Sequence, residues 1–261
     1  RHQAISGALN EFSQTVERHV IEDEPLGRVI YAGGDDVLAM LPVVDLLPAM
    51  QRLREVYSGF APEDAELSWE DCLANRNKLI CKNGFAYLKG RLMRMMGDQA
   101  TASCGAVIAH HQAPLSAVMR ELRVAEKRAK TEGGRDAFSI TIIKRSGGAL
   151  YLTAKWGEPV TVLRELTKYL RSDDTSRRAV YHSLEWLHDL PDPNQNPEML
   201  ESLLRYQLDR QSEGDTRHKA PGLAKSLAEL ARQYEKGLDW LSNFMTVAEF
   251  LARETRSGGD V

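Results

Sequence analysis

The sequence predicts an α+β fold, in which a domain of mixed helices and strands over residues 1–157 precedes an all-helical domain over 158–261. Two apolar runs around the tetrad at 33–36 (Gly-Gly-Asp-Asp) predict a β-hairpin, since a tight glycine-containing turn joins them. Helical and strand patterns alternate up to Gly157, and only helical patterns follow it. This change in pattern predicts the domain boundary.

The first elements follow from the spacing of apolar residues. A helix is predicted over 3–21, where apolar residues recur at helical spacing, and a polar turn follows it. The strands of the hairpin are predicted at 28–32 and 37–41. A helix over 45–57 comes next, with its apolar residues on one face.

Residues 58–98 contain short helical patterns and no clear strand, so we interpret them as an insertion. Gly- and Pro-containing breaks separate the elements that follow. The remaining strands are predicted at 101–110, 137–144 and 149–156, and the remaining helices at 114–132, 160–171, 175–189, 197–212, 221–234 and 238–254. We expect helices to cover one face of the sheet in the first domain.

Composition excludes several classes of protein. The chain has 261 residues, a net charge of −3 and 3 cysteines, Cys72, Cys81 and Cys104. A slightly acidic chain does not bind nucleic acid through its overall charge. The cysteines are sparse and lack metal-ligand spacing, which favours neither disulfides nor zinc. Their small number suits the reducing cytoplasm. No apolar run reaches the roughly 20 residues that cross a bilayer, so we expect no membrane partner. The sequence starts at Arg1 directly in a helical pattern, which we interpret as a piece of a longer protein.

The tetrad at the hairpin tip is the most informative feature. Gly33 and Gly34 permit positive φ and a close approach of a ligand to the backbone. Asp35 and Asp36 repel each other unless a cation neutralises them, and Mg²⁺ or Mn²⁺ is the natural partner because hard cations prefer oxygen ligands. Such a metal binds nucleotide phosphates and lowers the pKa of a ribose hydroxyl, which is the chemistry of nucleotidyl transfer. These four residues alone are equally compatible with a solvent-exposed turn.

Three motifs in the same order resemble palm-type cyclases and polymerases. VIYAGGDDVLAM at 29–40 resembles their signature hairpin, and SCGAVIA at 103–109 and AEKRAKTEGGRDAF at 125–138 resemble the corresponding strand and helix-to-strand segment of diguanylate cyclases. The finer resemblance is to the large subunit of type III CRISPR effector complexes, especially the type III-B (Cmr) branch. The segments that carry it are YAGGDDVLAMLP, VIAHHQAPL and GRDAFSI. It covers most of 1–157 and, more loosely, the helical tail.

The resemblance implies a fold and an activity. It implies a ferredoxin-like palm that joins ATP molecules 3′ to 5′ into cyclic oligoadenylates when the guide complex recognises target RNA. It further implies that Asp35 and Asp36 are the catalytic metal carboxylates, and that Gly33 and Gly34 admit the nucleotide.

The same resemblance implies further contacts. Lys127, Lys130 and Arg135 are candidates for binding the triphosphate, since each is a cation with several donors, although each also fits a solvated helix end. The implied partners are the other subunits of the ribonucleoprotein, guide and target RNA through that complex, and the small helical subunit at the C-terminal domain.

Related palms carry a further strand with another acidic metal ligand ahead of the first helix, and the family has a second, degenerate palm that supplies the neighbouring ATP site. Neither is in this sequence, so we expect the isolated chain to be catalytically incomplete.

Two alternatives stay open. A diguanylate cyclase would use GTP and carry Glu at the fourth or fifth position of the hairpin motif, where this sequence has Asp36 and Val37. A non-catalytic scaffold would keep the palm only for assembly, which the intact acidic pair argues against. Separately, the stretch 72–97 is basic and contains no acidic residue, so it either contacts RNA phosphates or is a solvated insertion.

Overall fold

The computed structural model describes residues 2–64, 66–68, 70, 74, 77–145, 147–187 and 189–256. They form two compact units, which divide between Ser103 and Cys104. The fold is α+β, as predicted. Among the residues described, none of the helices is long and apolar enough to cross a lipid bilayer.

The first unit begins with a long helical segment that packs on a hairpin. Helix α1 spans His2–Glu11 and continues through two π-helical turns, Phe12–Val16 and His19–Asp23. The predicted helix is therefore present, and it ends two residues later than expected. π-Helical turns widen a helix and often occur at functional sites.

The predicted hairpin follows this helical segment. Strand β1 spans Arg28–Gly33 and pairs antiparallel with β2, Asp36–Met40, in a two-stranded sheet. Helix α2, Val43–Ser58, follows the hairpin and contains Pro48 close to its start. Pro48 is the sixth residue of the helix and lies beyond its first turn, so α2 lacks the hydrogen bond that an N–H at position 48 would make to the Val44 carbonyl.

The prediction that 58–98 lacks strands is wrong. This segment contains a three-stranded antiparallel sheet of β3 (Ile80–Lys82), β4 (Phe85–Leu88) and β5 (Arg91–Arg94). Its two connections, Asn83-Gly84 and Lys89-Gly90, both have positive φ at both residues, as type I′ hairpin turns require. Strands of three or four residues are too short for an alternating pattern to stand out in sequence, but the Asn-Gly pair is a hairpin signal that the sequence does contain.

Apolar side chains from these elements form one core in the first unit. The buried members are Phe12, Val16, Val20, Val56, Ala61, Leu79, Cys81, Ala86, Leu88, Met93 and Met95. A polar group beside this core ties α2 to β3. The carboxylate of Asp64 is 1% exposed, accepts the Cys81 backbone N–H at 2.8 Å and is bound by the Arg52 guanidinium at 3.2 Å. Losing this carboxylate would leave the buried Cys81 N–H without its acceptor and would remove the nearer of two acidic partners of Arg52, the other being Glu55 at 3.4 Å.

The second unit begins with a three-stranded sheet. Strand β6 (Cys104–Ile108) runs parallel to β7 (Ala137–Ile143), which pairs antiparallel with β8 (Ala149–Lys155). Helix α3, Leu115–Lys130, packs against β6 and β7. Leu115, at the first position of the helix, is 69% exposed.

The five helices predicted after Gly157 are all present, as α4 (Glu158–Arg171), α5 (Arg178–Leu187), α6 (Pro197–Arg210), α8 (Ala220–Ala231) and α9 (Gly237–Arg256). A short helix that was not predicted, α7 (Gly214–Arg217), lies between α6 and α8. These helices are joined to the sheet, because the Trp240 indole N–H on α9 donates to the Thr153 carbonyl of β8 at 2.9 Å. The predicted domains 1–157 and 158–261 stay a prediction about the sequence, and the compact units divide elsewhere.

Candidate functional site

The tip of the β1–β2 hairpin is a two-residue turn. Gly33 pairs with Asp36, which leaves Gly34 and Asp35 as the loop. Gly34 has φ of 65°, and Asp35 is not among the residues with positive φ. That combination fits a type II′ turn, in which only the first loop residue needs positive φ and is therefore almost always glycine. The turn places both aspartates at the extreme end of the ribbon.

The hairpin has one face toward the core and one away from it. Val37 packs against the core of the first unit. Because side chains alternate along a strand, Asp36 lies on the opposite face, which also carries Tyr31. Tyr31 is 57% exposed, and a Cβ at Gly33 would lie 2.4 Å from its hydroxyl. The face of the tip that carries Asp36 is thus open to solvent. At position 33 it leaves no room for a side chain beside the Tyr31 hydroxyl.

Two contacts hold the hairpin on the helical segment. The Val29 backbone N–H donates to Oε1 of Glu22 at 3.0 Å, and the Gly27 backbone N–H donates to the Ile21 carbonyl at 3.1 Å. The register shifts between Val29 and Tyr31, which marks a β-bulge in β1. A bulge increases local twist and redirects side chains beyond it, so this one helps to set the direction of the tip.

Both aspartates of the tip are exposed, and neither has a hydrogen bond or ion pair within the described residues. Their negative charge is felt locally: burial, and secondarily the charge of Asp35, raises the pKa of the Tyr57 hydroxyl. Two neighbouring carboxylates repel each other, and a bound cation would relieve that repulsion.

The residues present fit a partial site for a hard divalent ion. Asp35 and Asp36 supply oxygen ligands, but no group of three or more His, Cys, Asp or Glu side chains suited to a metal occurs in the described part of the chain. Mg²⁺ is commonly held by one or two carboxylates, with water and substrate phosphates completing its shell. The chemistry of this pair therefore suits a metal that arrives with a nucleotide.

The three predicted triphosphate ligands lie together in the second unit, at the end of α3 and in the turn after it. Lys127 is exposed and has no side-chain partner within the described residues, whereas Lys130 is already paired with Glu126 at 2.5 Å. Arg135 is exposed, and its backbone N–H donates to the Ala129 carbonyl at 3.2 Å. Lys127 and Arg135 are therefore more available to an anion than Lys130.

The turn that carries Arg135 has an unusual backbone. Gly134, Arg135 and Asp136 all have positive φ, at 66°, 60° and 43°. Positive φ is costly for residues with a side chain and is held only where the surroundings enforce it. Here the Lys155 ammonium donates to the carbonyls of Gly134 at 3.1 Å and Arg135 at 2.7 Å. Lys155 is a positioning residue that the sequence did not reveal, because it comes from the following hairpin.

The acidic pair belongs to the first unit, and the three cations belong to the second. The two aspartates are adjacent at the tip of the hairpin, and the three cations lie at the end of α3 and in the turn that follows it.

The basic stretch 72–97 is largely neutralised by contacts inside the first unit. Lys89 pairs with Asp23 at 3.1 Å, Arg91 pairs with Glu11 at 3.0 Å, and Lys78 lies 3.9 Å from Asp64. Lys82 donates to the Leu67 carbonyl. Residues Cys72 and Arg76 lie outside the described residues. Most of the charge that the sequence offers to RNA here thus already has a partner.

Comparison with known proteins gives the family of the chain. A family model described as Cas10/Cmr2, second palm domain, matches residues 1–139, which is more than half of the sequence. The chain belongs to the Cas10/Cmr2 family. This confirms the relationship predicted from the three motifs. It corrects the expectation that the second palm of the family is absent from this sequence, since the palm matched here is described as the second.

Individual relatives agree with the family. The CRISPR system Cmr subunit Cmr2 of Pyrococcus furiosus is 29% identical over 243 residues, which are 88% of this chain and 24% of the relative. The corresponding subunit of Saccharolobus solfataricus is 32% identical over 120 residues, 46% of this chain and 10% of the relative. This chain therefore spans about a quarter or less of the length of these relatives.

A solved structure shares the fold. The cryo-EM structure of type III-B Cmr-beta in the apo state matches with a TM-score of 0.56 and 20% identity, covering 83% of this chain and 23% of that one. This likeness shows that the two chains share a fold over the matched region.

Proposed function

We propose that this chain carries the metal-binding half of a nucleotidyltransferase site that converts ATP into cyclic oligoadenylates in a type III-B CRISPR complex. The observation that supports it most directly is the pair of exposed carboxylates, Asp35 and Asp36, without any partner in the described chain, at the tip of a hairpin. Membership of the Cas10/Cmr2 family adds independent support.

In the proposed reaction the 3′-oxygen of one ATP attacks the α-phosphorus of the next, the bond to the β-phosphate breaks and pyrophosphate leaves. Mg²⁺ or Mn²⁺, when bound, would neutralise phosphate charge and lower the pKa of the attacking hydroxyl. Asp35 and Asp36 would hold that ion through their carboxylate oxygens. Gly33 and Gly34 would let the phosphates come close to the turn, since neither carries a side chain there.

Lys127, Lys130 and Arg135 are proposed to bind the triphosphate. Arg135 suits this role best, because its guanidinium is exposed on a backbone that Lys155 holds in place, and a planar guanidinium binds phosphate through two parallel hydrogen bonds. Lys130 would first have to leave Glu126.

The proposed partners are the other subunits of the complex, with the small helical subunit at the C-terminal helices and with guide and target RNA reached through the assembly. The proposed location is the cytoplasm, where the free thiols of Cys81 and Cys104 stay reduced.

A scaffold palm without catalysis is the second candidate. The observation that favours it is that no third acidic ligand lies beside the aspartate pair in the described residues. A diguanylate cyclase is less well supported, since position 36 is Asp and not Glu.

Nucleotide binding tests the proposal. We expect the chain to bind ATP in the presence of Mn²⁺, and the double change Asp35→Ala with Asp36→Ala to weaken binding by at least about tenfold, since two charge-assisted ligands are lost. The matched control removes two exposed carboxylates elsewhere in the same unit, Glu63→Ala with Asp98→Ala, and should leave the dissociation constant unchanged.

Equal ATP affinity in the Asp35/Asp36 variant and in the wild type would favour the scaffold candidate. Product identity is then read by mass spectrometry of the full complex supplied with ATP and target RNA. Linear or cyclic oligoadenylates would support the proposal, and cyclic dinucleotides of guanine would overturn it.

A further inference from the structure

A cleft lined by three arginines lies in the helical part of the second unit, apart from every residue named above as a candidate ligand. It has a volume of about 330 Å³ and is formed by Ser176, Arg177, Arg178, Tyr181, Glu249 and Arg253. These residues come from the start of α5 and from the C-terminal half of α9, which pack against each other. The volume is at the lower end of that of small-molecule sites in proteins.

A buried glutamate fixes two of the arginines. Glu249 is 5% exposed, and its two carboxylate oxygens lie 3.5 Å from the Arg177 guanidinium and 3.8 Å from that of Arg253. Arg253 is held further by Glu254 at 3.2 Å and by the Phe250 ring, whose centroid is 4.9 Å away. Cations held in place in this way lose less conformational entropy when an anion binds.

The third arginine has no such partner. Arg178 is exposed, and no acidic side chain pairs with it in the described residues. Its backbone N–H donates to the Ser176 hydroxyl at 3.3 Å, at the beginning of α5. Three arginines against Glu249 and Glu254 leave one net positive charge at the cleft, that of Arg178, and the start of the helix adds to it.

An exposed aromatic ring lies on the same face of α5 as Arg178. Tyr181 follows Arg178 by three positions, so the two are neighbours on the helix surface, and Arg177 directly precedes the helix. Tyr181 is 51% exposed. A simple anion makes no stacking contact with this ring. A nucleotide of a single strand, in contrast, offers a phosphate to the arginines and a base that stacks on the ring.

From this juxtaposition we propose that the cleft binds single-stranded nucleic acid, with Arg177, Arg178 and Arg253 on the phosphate backbone and a base stacked on Tyr181. Arginine suits such a site because its planar group binds phosphate oxygens through paired hydrogen bonds. RNA and DNA share this chemistry, and the experiment separates them.

The test is fluorescence anisotropy of a labelled oligouridylate of about ten nucleotides, titrated with the 261-residue chain across a series of salt concentrations. We expect Arg178→Ala to weaken binding about five- to tenfold and to reduce the slope of log affinity against log salt by about 0.7, the value for one phosphate contact on a single strand. We expect Tyr181→Leu to weaken binding at least about fivefold with the salt slope unchanged, since only stacking is lost.

The matched control is Arg205→Ala, which removes one exposed arginine of α6 outside the cleft and should alter binding less than twofold, a threshold of roughly 0.4 kcal/mol. Circular dichroism checks that each variant is folded. ATP binding with Mn²⁺ should be unaffected by Arg178→Ala, so failure of the nucleotidyltransferase proposal and failure of this one are separate results. An oligodeoxyuridylate arm shows whether RNA or DNA is preferred, and either preference supports the site.

Three results would overturn the proposal. Equal losses of oligonucleotide affinity for Arg178→Ala and Arg205→Ala would mean that binding depends on the general positive charge of the surface and not on a defined site. An unchanged affinity for the oligonucleotide in Tyr181→Leu would show that no base stacks on Tyr181. An oligoglutamate peptide that competes as strongly as the oligonucleotide, charge for charge, would make the cleft a binding site for an acidic protein segment.

Discussion

Glu17 lies between the two π-helical turns of the first unit and is fully buried, with neither carboxylate oxygen hydrogen-bonded in the described structure. Burial raises the pKa of its carboxyl from 4.5 to about 7, and the nearby Arg18 opposes this only in part. A carboxyl of this kind is neutral in the folded protein at slightly acidic pH and ionised in the unfolded chain. It therefore destabilises the fold once the pH rises.

The sign of this effect gives a testable pH dependence. Above the unfolded-state pKa of 4.5 the unfolded chain loses the proton first, so the free energy of unfolding falls as the pH rises from there to about 7, and the full cost is present above about 7. We expect Glu17→Gln to remove this fall and to be more stable than the wild type at about pH 8, by on the order of 2 kcal/mol. Urea unfolding at a series of pH values measures this difference in the free energy of unfolding.

The control for this prediction is Glu66→Gln, which changes an exposed carboxyl of the same unit and should follow the wild-type pH profile. If Glu17→Gln and the wild type have parallel profiles, Glu17 is ionised or hydrogen-bonded in the folded protein.

At the scale of elements, the end of α2 is joined to the sheet of β3–β5. Gly59 caps the helix with φ of 78°, and its N–H donates to the carbonyls of Glu55 and Val56. Its own carbonyl accepts the N–H of Gly84, which lies in the turn between β3 and β4, at 3.1 Å. A Cβ at position 59 would lie 2.6 Å from the Gly84 carbonyl carbon. The helix end and the turn can be this close only because residue 59 is glycine.

A pair of glycine substitutions tests this connection. Gly59→Ala should destabilise the first unit by at least about 1–2 kcal/mol, because alanine is strained at positive φ and its methyl group meets backbone that cannot yield. Gly7→Ala is the matched control, since Gly7 lies inside α1 with nothing within 4 Å of an added Cβ. That change should stabilise the protein by about 0.5–1 kcal/mol through helix propensity. Chemical denaturation of both variants should give opposite signs, and equal signs would contradict the role of Gly59.

At the scale of the whole molecule, the second unit combines a sheet with helices that the sequence assigns to another domain. Helix α9 packs against β8 and α4, and the ring of Trp240 is stacked on Tyr234 at 4.0 Å while its N–H is bound to the Thr153 carbonyl. Removing the strands would expose these rings and break that hydrogen bond. The helices after Gly157 therefore depend on the sheet for part of their core.

Two shortened chains test this dependence. We expect residues 104–261 to unfold in one cooperative thermal transition, and residues 158–261 to unfold at a lower temperature and less cooperatively, because they lack β8. Circular dichroism and tryptophan fluorescence measure both transitions. If the two chains unfold alike, the boundary predicted at 157/158 is the true division of the chain.

Much of the fold could be predicted because most elements are long enough to show a period. Helices such as α9 and the paired strands β7 and β8 extend over many residues, so their apolar spacing stands out, and they lie close to the predicted limits. The sheet of β3–β5 was missed because its strands contain three or four residues. The family was recognisable because its motifs are local in sequence, and Asp35 and Asp36 as metal ligands stay a prediction.

The sequence by itself determined the type of most elements, the glycine turn and the presence of two adjacent carboxylates at its end, since each depends on neighbouring residues in the chain. Only the tertiary structure decided which charges have partners. It pairs Arg91 with Glu11, gives the aspartates of the tip no Lys or Arg partner among the described residues, and brings Arg177 and Arg253 to one buried glutamate. The physical reason is that a charge's partner comes from whichever element packs beside it, and no local pattern records that choice.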